Sequence, residues 1–459
     1  MKLKNLQISN LRCFESLSID FDKQLTVLIA ENGVGKTAIL DAIAVALGPF
    51  IGGFDTGVSK SFKPEDARLA IRNVLHITRP EDVILQMESQ YPVSLIALGI
   101  IEGQHEQWSR ELTGKKTQTT FGKARVIINY AKKLQQQVRA GEEVTLPIVA
   151  YYGTGRLWKQ TKTSIKHSID SQSRLYGYRD ALNSESNYKM FEKWFTDMSI
   201  AENATNSAIT RNNPPLAEYF ENPDSAAFKP PVQFMELEQV RKAIDQCLSV
   251  SGWSDLAYEF KWRELVVRGN DNSLMPVARL SDGVKAMLSL TADIAYRCVQ
   301  LNPHLASPTE ETNGIVLIDE IDLHLHPKWQ QTVLSDLRKA FPKIQFIVTT
   351  HSPQVLTTVK PECIRLLCAD GKVLTPAINT YGEESKVVLE DLMHTSSRPH
   401  TDETDLLQDY LKRINHGDID SPEVTQWRQT LEKAFGSEYS KLKLADMVIR
   451  KWKAKRGIA

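Results

Sequence analysis

The segment TVLIAENGVGKTAILDAI, Thr26 to Ile43, constrains this chain more than any other. It passes from a continuous apolar stretch, through a loop with glycines at 33 and 35, into a pattern with Ile39, Leu40 and Ile43 on one helical face. A short run that is apolar at every position suits a strand buried on both faces of a parallel sheet. Strand, glycine loop and helix in that order match G-x-x-x-x-G-K-[ST], where backbone N–H groups at a helix amino terminus cradle phosphates. The expected ATP-binding set is Asn32, Gly33, Val34, Gly35, Lys36, Thr37 and Ala38, with Lys36 on the β- and γ-phosphates and Thr37 a magnesium ligand. The strict pattern opens with Gly, and Ala30 stands in that place. Gly48-Pro49 reads as the stop of a helix running from about Lys36 to Leu47.

Other apolar runs extend the same grammar. Ile315 to Ile318 and Phe346 to Val348 bracket a helical pattern around Lys328 to Ala340, and Leu146 to Tyr152 reads as a further buried strand. Such alternation belongs to an α/β parallel sheet. Asp319 and Glu320 then lie at the carboxyl end of a strand, where such sheets present their active sites. Asp319 suits magnesium, and Glu320 suits polarising an attacking water. A solvated turn is the bland reading of this acid pair, and the glycine loop weighs against it. His351, at the end of the next strand, is placed for a γ-phosphate contact, although lone histidines are more often structural. His324 and His326 read equally well as turn or packing residues.

Segments around 82–112 alternate like antiparallel strands of a side sheet, and Leu3 to Phe21 reads as two strands about a turn. Residues 158–250 are polar and mostly helical, with Ser199 to Pro231 a loop or flexible insert. The expected organisation is an ATPase domain over 1–382, with a helical lobe and insert at about 158–275, and a helical region over 383–459. Within that tail, Ser421-Pro422 marks a helix start and Gly436 a stop. The last helix, Lys441 to Arg456, carries seven basic residues against Asp446, over a stripe of Leu442, Ile449 and Trp452. A solvated face is one reading, and docking on an acidic surface or a DNA backbone is the other.

Leu280, Ser281, Asp282 and Gly283 precede a long amphipathic helix. A serine and a glycine there can bind an anion or simply cap the helix. LSDGVK resembles the LSGGQ-type signature of ABC ATPases, and AENGVGKT, LIDE and VTTHS follow that family's order. The resemblance implies head-to-tail dimers in which the signature of one subunit closes in trans on ATP and Mg2+ held by the other. It puts Asp322 at the D-loop position and Arg12, with Asn10, near the nucleotide. The loop after Leu146 to Tyr152 falls where that family carries a glutamine, yet reads YYGTGR. Arg156 in that loop reads equally as a phosphate contact or a structural ion pair.

ISNLRCFESLSIDF and DEIDLHLHP resemble the SMC, RecF and OLD branch of the family. Only about 240 residues without heptads separate the two nucleotide motifs, which leaves no room for a long coiled-coil arm. Within the helical tail, Asp418 and Asp420 form the sole DxD reminiscent of an OLD-type nuclease, and they read more simply as loop and cap residues. LPIVAYYGTGRLW, SRLYGYRDALN, LSDGVK and DEIDLHLHP together resemble the ATPases of Septu anti-phage systems, also found beside some retrons. That resemblance implies a homo-oligomeric ATPase controlling a separate HNH-type nuclease, with DNA reached through the complex. A RecF-like DNA-binding repair ATPase is the alternative. Lysines and arginines balance aspartates and glutamates at 56 each, so no global positive field draws the chain onto nucleic acid. Five scattered cysteines without a CxxC pair, and no run of about 18 apolar residues, are expected of a cytoplasmic protein with reduced thiols and no membrane partner.

Overall fold

The computed structural model of the chain describes residues 1–73, 85–157, 173–184, 188–212 and 232–455. They form two units, Met1–Val388 and Leu389–Ala459. In the larger unit, β1 (Lys2–Leu11) and β2 (Phe14–Asp20) form a hairpin, and β3 (Leu25–Ile29) leads into the glycine loop and α1 (Lys36–Ile51). A ribbon of β4 (Leu69–Asn73) and β5 (Leu85–Ser89) precedes β6 (Val93–Ile101) and β7 (Gln104–Leu112). The antiparallel side sheet runs β2-β1-β6-β7. After α2 (Arg125–Arg139) and β8 (Ile148–Tyr152) come α3 (Tyr188–Asn212) and α4 (Val232–Leu248). The antiparallel trio β9 (Trp253–Glu259), β10 (Glu264–Gly269) and β11 (Leu274–Pro276) leads into α5 (Asp282–Leu301). Then follow β12 (Gly314–Ile318), α6 (Val333–Ala340), β13 (Ile344–Thr349), β14 (Ile364–Leu367) and β15 (Val373–Leu374).

The central sheet has the order β15-β14-β3-β13-β12-β8, with β15 alone antiparallel. Every residue of β3, β8, β12 and β13 is buried, as runs without alternation require. Because these strands are parallel, their carboxyl ends all open on one edge of the sheet. The expected helix at 328–340 is broken into Pro327–Gln330 and α6. Helix α3 reaches Asn212, so the first part of the segment expected to be loop is helical, and the rest lies outside the described residues. Of the described helices, none is long and apolar enough to cross a membrane.

Helix α1 does not stop at Gly48-Pro49 but continues to Ile51 with Pro49 inside it. Proline has no N–H to give the carbonyl four residues back, so a proline interior to a helix leaves an orphaned acceptor. Here Arg110 Nη1 donates to the Val45 carbonyl at 3.0 Å, and Trp108 Nε1 donates to that of Ala46 at 2.8 Å. Both side chains come from β7 and are fully buried. Arg110 also donates to the Thr120 carbonyl through Nε, and its guanidinium sits over the Phe121 ring. The side sheet thus supplies the hydrogen bonds that let the helix behind the glycine loop run on, a long-range rescue that no local stop signal reveals.

A second buried polar cluster joins α5 to the central sheet. Tyr152, ending β8, donates its hydroxyl to Asp293 Oδ2 at 2.7 Å, and Arg297 Nε donates to the same oxygen at 2.8 Å. Arg297 Nη1 donates to the carbonyls of Gly177 and Arg179. Burial disfavours the Arg297 charge, but Asp293 and Tyr152 more than compensate and hold its pKa above the usual value. Both donors share Asp293 Oδ2 while its buried Oδ1 is left without a hydrogen bond, and a buried ion pair is costly to break on one side only.

The smaller unit packs α7 (Asp402–Asn415), α8 (Pro422–Phe435) and α9 (Ser440–Lys455) around Leu407, Tyr410, Ile414, Leu431 and Leu442. Ser421 caps α8 by accepting from the Val424 N–H, and Gly436 ends it with φ 83°. Asp418 pairs with Arg413 and accepts from Ser421, a loop and capping role. On α9, Leu442 is buried in this core, with Ile449 and Trp452 packed partly against it.

Arg110→Met should destabilise the protein by about 1–3 kcal/mol for each carbonyl it orphans, measured by urea unfolding of the tryptophan signal. Pro49→Ala in that background should recover part of the loss, because alanine supplies the missing N–H to Val45. Additive effects of the two substitutions would refute this account of the helix.

Candidate functional site

Three loops leave the same edge of the central sheet, after β3, β12 and β13, and a fourth element, the β1–β2 turn, leans over them. Together they line one cleft of about 370 Å³, walled by Arg12, Cys13, Asn32, Gly33, Gly35, Lys36, Thr37, Ala38, Asp319, Glu320 and His351. Gly33 (φ 83°) and Gly35 (φ 108°) adopt backbone that L side chains avoid. At Gly35 a Cβ would also lie 2.6 Å from Cys13 Sγ and from the Phe14 ring. Glycine there is fixed twice, by φ and by the close approach of the hairpin.

Lys36 Nζ donates to the carbonyls of Ala30 at 3.0 Å and Glu31 at 3.3 Å, so it arches over its own loop. Burial lowers its pKa from the usual lysine value, while Asp319, Glu320 and Asp322 pull it back up. A polyphosphate arriving in the cleft would strengthen the charged form further. Thr37 donates its hydroxyl to Asp319 Oδ2 at 2.9 Å, and Thr349 donates to Asp319 Oδ1 at 2.6 Å. A hydroxyl beside a carboxylate is a hard oxygen donor set that fits magnesium, which takes one or two carboxylates plus substrate phosphates. Among the described residues no cluster of three or more His, Cys, Asp or Glu forms a self-sufficient metal cage, and magnesium at a phosphate site needs none.

Glu320 has φ 48°, in the left-handed region that a non-glycine residue occupies at a cost of about 1–3 kcal/mol. Its N–H donates to Thr349 Oγ1 at 2.7 Å, which holds the strained turn in place. Thr349 therefore serves both acids at once, and sequence reasoning passed it over. Only its position at the end of a buried strand beside the acid pair could have signalled it. Arg12, also at positive φ (49°), pairs with Asp41 of α1 at 2.9 Å and with Asp66 at 2.8 Å. Lys60 joins Asp41 at 2.7 Å. Arg12 is thus a cleft wall braced by two carboxylates, and Asp41 and Asp66 are partners that no motif marks.

The signature residues lie elsewhere. Ser281 occupies the N-cap position of α5, yet its side chain makes no capping bond. Ser281, Asp282 and Gly283 line a separate concavity of about 480 Å³ that shares no residue with the first. Leu280 is 5 % exposed and packs inward instead. Val34 is not in the wall of the first cleft; its carbonyl accepts from the Cys13 thiol. Asp322 lines neither space, and its Oδ1 accepts from Thr350 Oγ1 at 2.5 Å. Asn10 donates to the Pro92 carbonyl. The Arg156 side chain lies outside the described residues.

A family model described as AAA domain matches residues 5–249, more than half of the chain, and a second AAA-domain model matches residues 258–357. The Retron Ec83 probable ATPase of Escherichia coli is 30% identical over 483 residues, covering 95% of this chain and 84% of its own. The Septu protein PtuA of Bacillus thuringiensis is 22% identical over 361 residues, 77% of this chain and 72% of its own. Among solved structures, the Smc head domain with an extended coiled coil from Pyrococcus furiosus aligns over 86% of this chain and 100% of its own, with 15% identity and a TM-score of 0.45.

The double duty of Thr349 has a measurable consequence. Thr349→Val should slow nucleotide hydrolysis roughly 10- to 100-fold by loosening both acids, with little change in nucleotide affinity. Single-turnover hydrolysis beside equilibrium binding separates the two, and a pure affinity defect would contradict the assignment.

Proposed function

Because this chain belongs to the AAA-domain family and is similar over nearly its whole length to a retron ATPase, we propose that it is the ATP-hydrolysing regulatory subunit of a Septu- or retron-type anti-phage defence system. In this reading two copies of the chain hold two ATP molecules between them and control a partner HNH-type nuclease of the PtuB kind, which cleaves DNA. The observation that carries the reading is the separation of the two concavities. Lys36, Thr37, Asp319 and Glu320 share one cleft, whereas Ser281 and Gly283 face another, which supports a signature brought to the nucleotide on Lys36 by a second chain.

The residues divide the work as follows. The backbone N–H groups from Gly33 to Thr37, with Lys36, bind and orient the β- and γ-phosphates. Thr37 and Asp319 hold magnesium, which when bound supplies neutralisation of the charge that builds on the transferring phosphoryl group. Glu320 orients the attacking water and accepts its proton. His351, in the same wall, donates to the γ-phosphate. Ser281 and Gly283 of the second copy close the site and exclude bulk water. Asp322, tied to Thr350, couples the turn after the acids to the His351 loop. Nothing among these groups cuts a phosphodiester, and Asp418 is engaged as a loop residue, so cleavage is assigned to the partner.

Glu320→Gln should reduce hydrolysis by roughly 10²- to 10⁴-fold while ATP still binds. Loss of binding in parallel with hydrolysis would overturn the role given to Glu320. Ser281→Arg should abolish hydrolysis and leave ATP docked on Lys36; full activity in that variant would sink the two-chain site. The defence assignment is tested by co-purification with the product of the neighbouring gene, followed by a DNA-cleavage assay. Partner-dependent cleavage supports it, while DNA binding by the isolated chain under ATP would favour a RecF-like role.

A further inference from the structure

The concavity that carries Ser281 and Gly283 has a second wall, formed by His324, His326 and Lys328 from the turn that follows the acid pair, with Ser251 and Trp253 beside it. The two walls are seated closely. A Cβ on Gly283 would lie 2.6 Å from the His324 carbonyl, and His324 itself has φ 63°, so this glycine is required by the neighbouring turn. The signature and the post-acid turn therefore present one face.

That face has an electrostatic problem of its own. The signature carries Asp282 where an LSGGQ-type sequence has glycine, and a carboxylate next to Ser281 repels a polyphosphate. Asp282 is exposed, and its ion-pair partner Lys285 stands 3.9 Å away on the next helical turn. His324, His326 and Lys328, all exposed, are the further basic side chains lining the same space. His326 is also oriented. Its Nδ1 accepts the Lys328 N–H at 3.3 Å, so the neutral ring carries its proton on Nε2 and offers a donor on the side away from that bond. Asp322, the nearer candidate by sequence for reaching across to a partner, is bonded within its own chain to Thr350.

We propose that His326 and Lys328 complete the signature face as donors to the terminal phosphate of the nucleotide held by a second copy of this chain, and that they make an Asp282-bearing signature tolerable to that phosphate. The proposal rests on the two-chain reading above and deepens it, by naming what in this chain recognises the partner's triphosphate besides Ser281 and Gly283.

The test uses the full-length chain in the Glu320→Gln background, where hydrolysis does not compete, and follows release of a fluorescent ATP analogue into excess unlabelled ATP. A closed two-chain site traps the analogue, and adding Ser281→Arg defines the rate of an open one. Adding His326→Ala and Lys328→Ala together should speed release at least tenfold, and Asp282→Gly on top of them should slow it again. His326→Asn, which can still accept the Lys328 N–H and still donate, should release as slowly as the parent and guards against a merely folding effect. Release unchanged by the double alanine substitution, with the parent still slow, would overturn this proposal and leave the two-chain site standing. A parent that releases as fast as the Ser281→Arg control would overturn both.

Discussion

One carboxylate organises the nucleotide-facing end of the sheet. Asp319 directly follows β12, and its two oxygens each receive a hydroxyl, Oδ2 that of Thr37 from the helix after β3 and Oδ1 that of Thr349 from the end of β13. Three neighbouring strands of the sheet, β3 from the start of the chain and the consecutive pair β12 and β13, are thereby held together at their carboxyl ends. Both hydroxyls donate to an ionised group in a largely buried position, where charge-assisted hydrogen bonds are strongest. Thr349 then accepts the N–H of Glu320, so the strained backbone of the second acid hangs from the same tie. The parts of the cleft are consequently preset before any ligand arrives, which is what electrostatic stabilisation of a charged transition state asks of a scaffold.

The sequence was most legible where local chemistry and global position agree. Continuous apolar runs gave the buried parallel strands, and the glycine loop between strand and helix gave the positive-φ turn at Gly33 and Gly35 that borders the cleft, because each follows from a short-range rule. Ser421, Pro422 and Gly436 bounded their helix for the same reason. The failures share a physical cause. Gly48-Pro49 is a local stop signal, but Arg110 and Trp108, from a different sheet, satisfy the carbonyls around the proline and the helix continues. The trio β9-β10-β11 lies within the span expected to be a helical lobe, to about residue 275; its strands are only partly buried and show neither a continuous apolar run nor clean alternation.

Site residues follow a similar division. Lys36, Thr37, Asp319, Glu320 and His351 were all named from sequence and all line one cleft. Thr349, Asp41 and Asp66 were not, since each acts by holding another side chain and belongs to no spacing pattern. Arg12 was named as a nucleotide contact, and the structure adds that its charge is shared between two carboxylates. Ser281 illustrates the ambiguity that sequence leaves: it stands where a helix cap stands, and only the missing capping bond separates the two readings.

The cluster of Tyr152, Asp293 and Arg297 bears on how such a molecule moves. Helix α5 begins at the signature and is bolted, beyond its midpoint at Asp293 and Arg297, to the strand whose terminal carbonyl accepts the Asp319 N–H at 2.8 Å. A lever pinned to its own chassis cannot swing independently of it. Whatever displaces the Asp319 edge is carried bodily into the orientation of Ser281 at the other end of the helix.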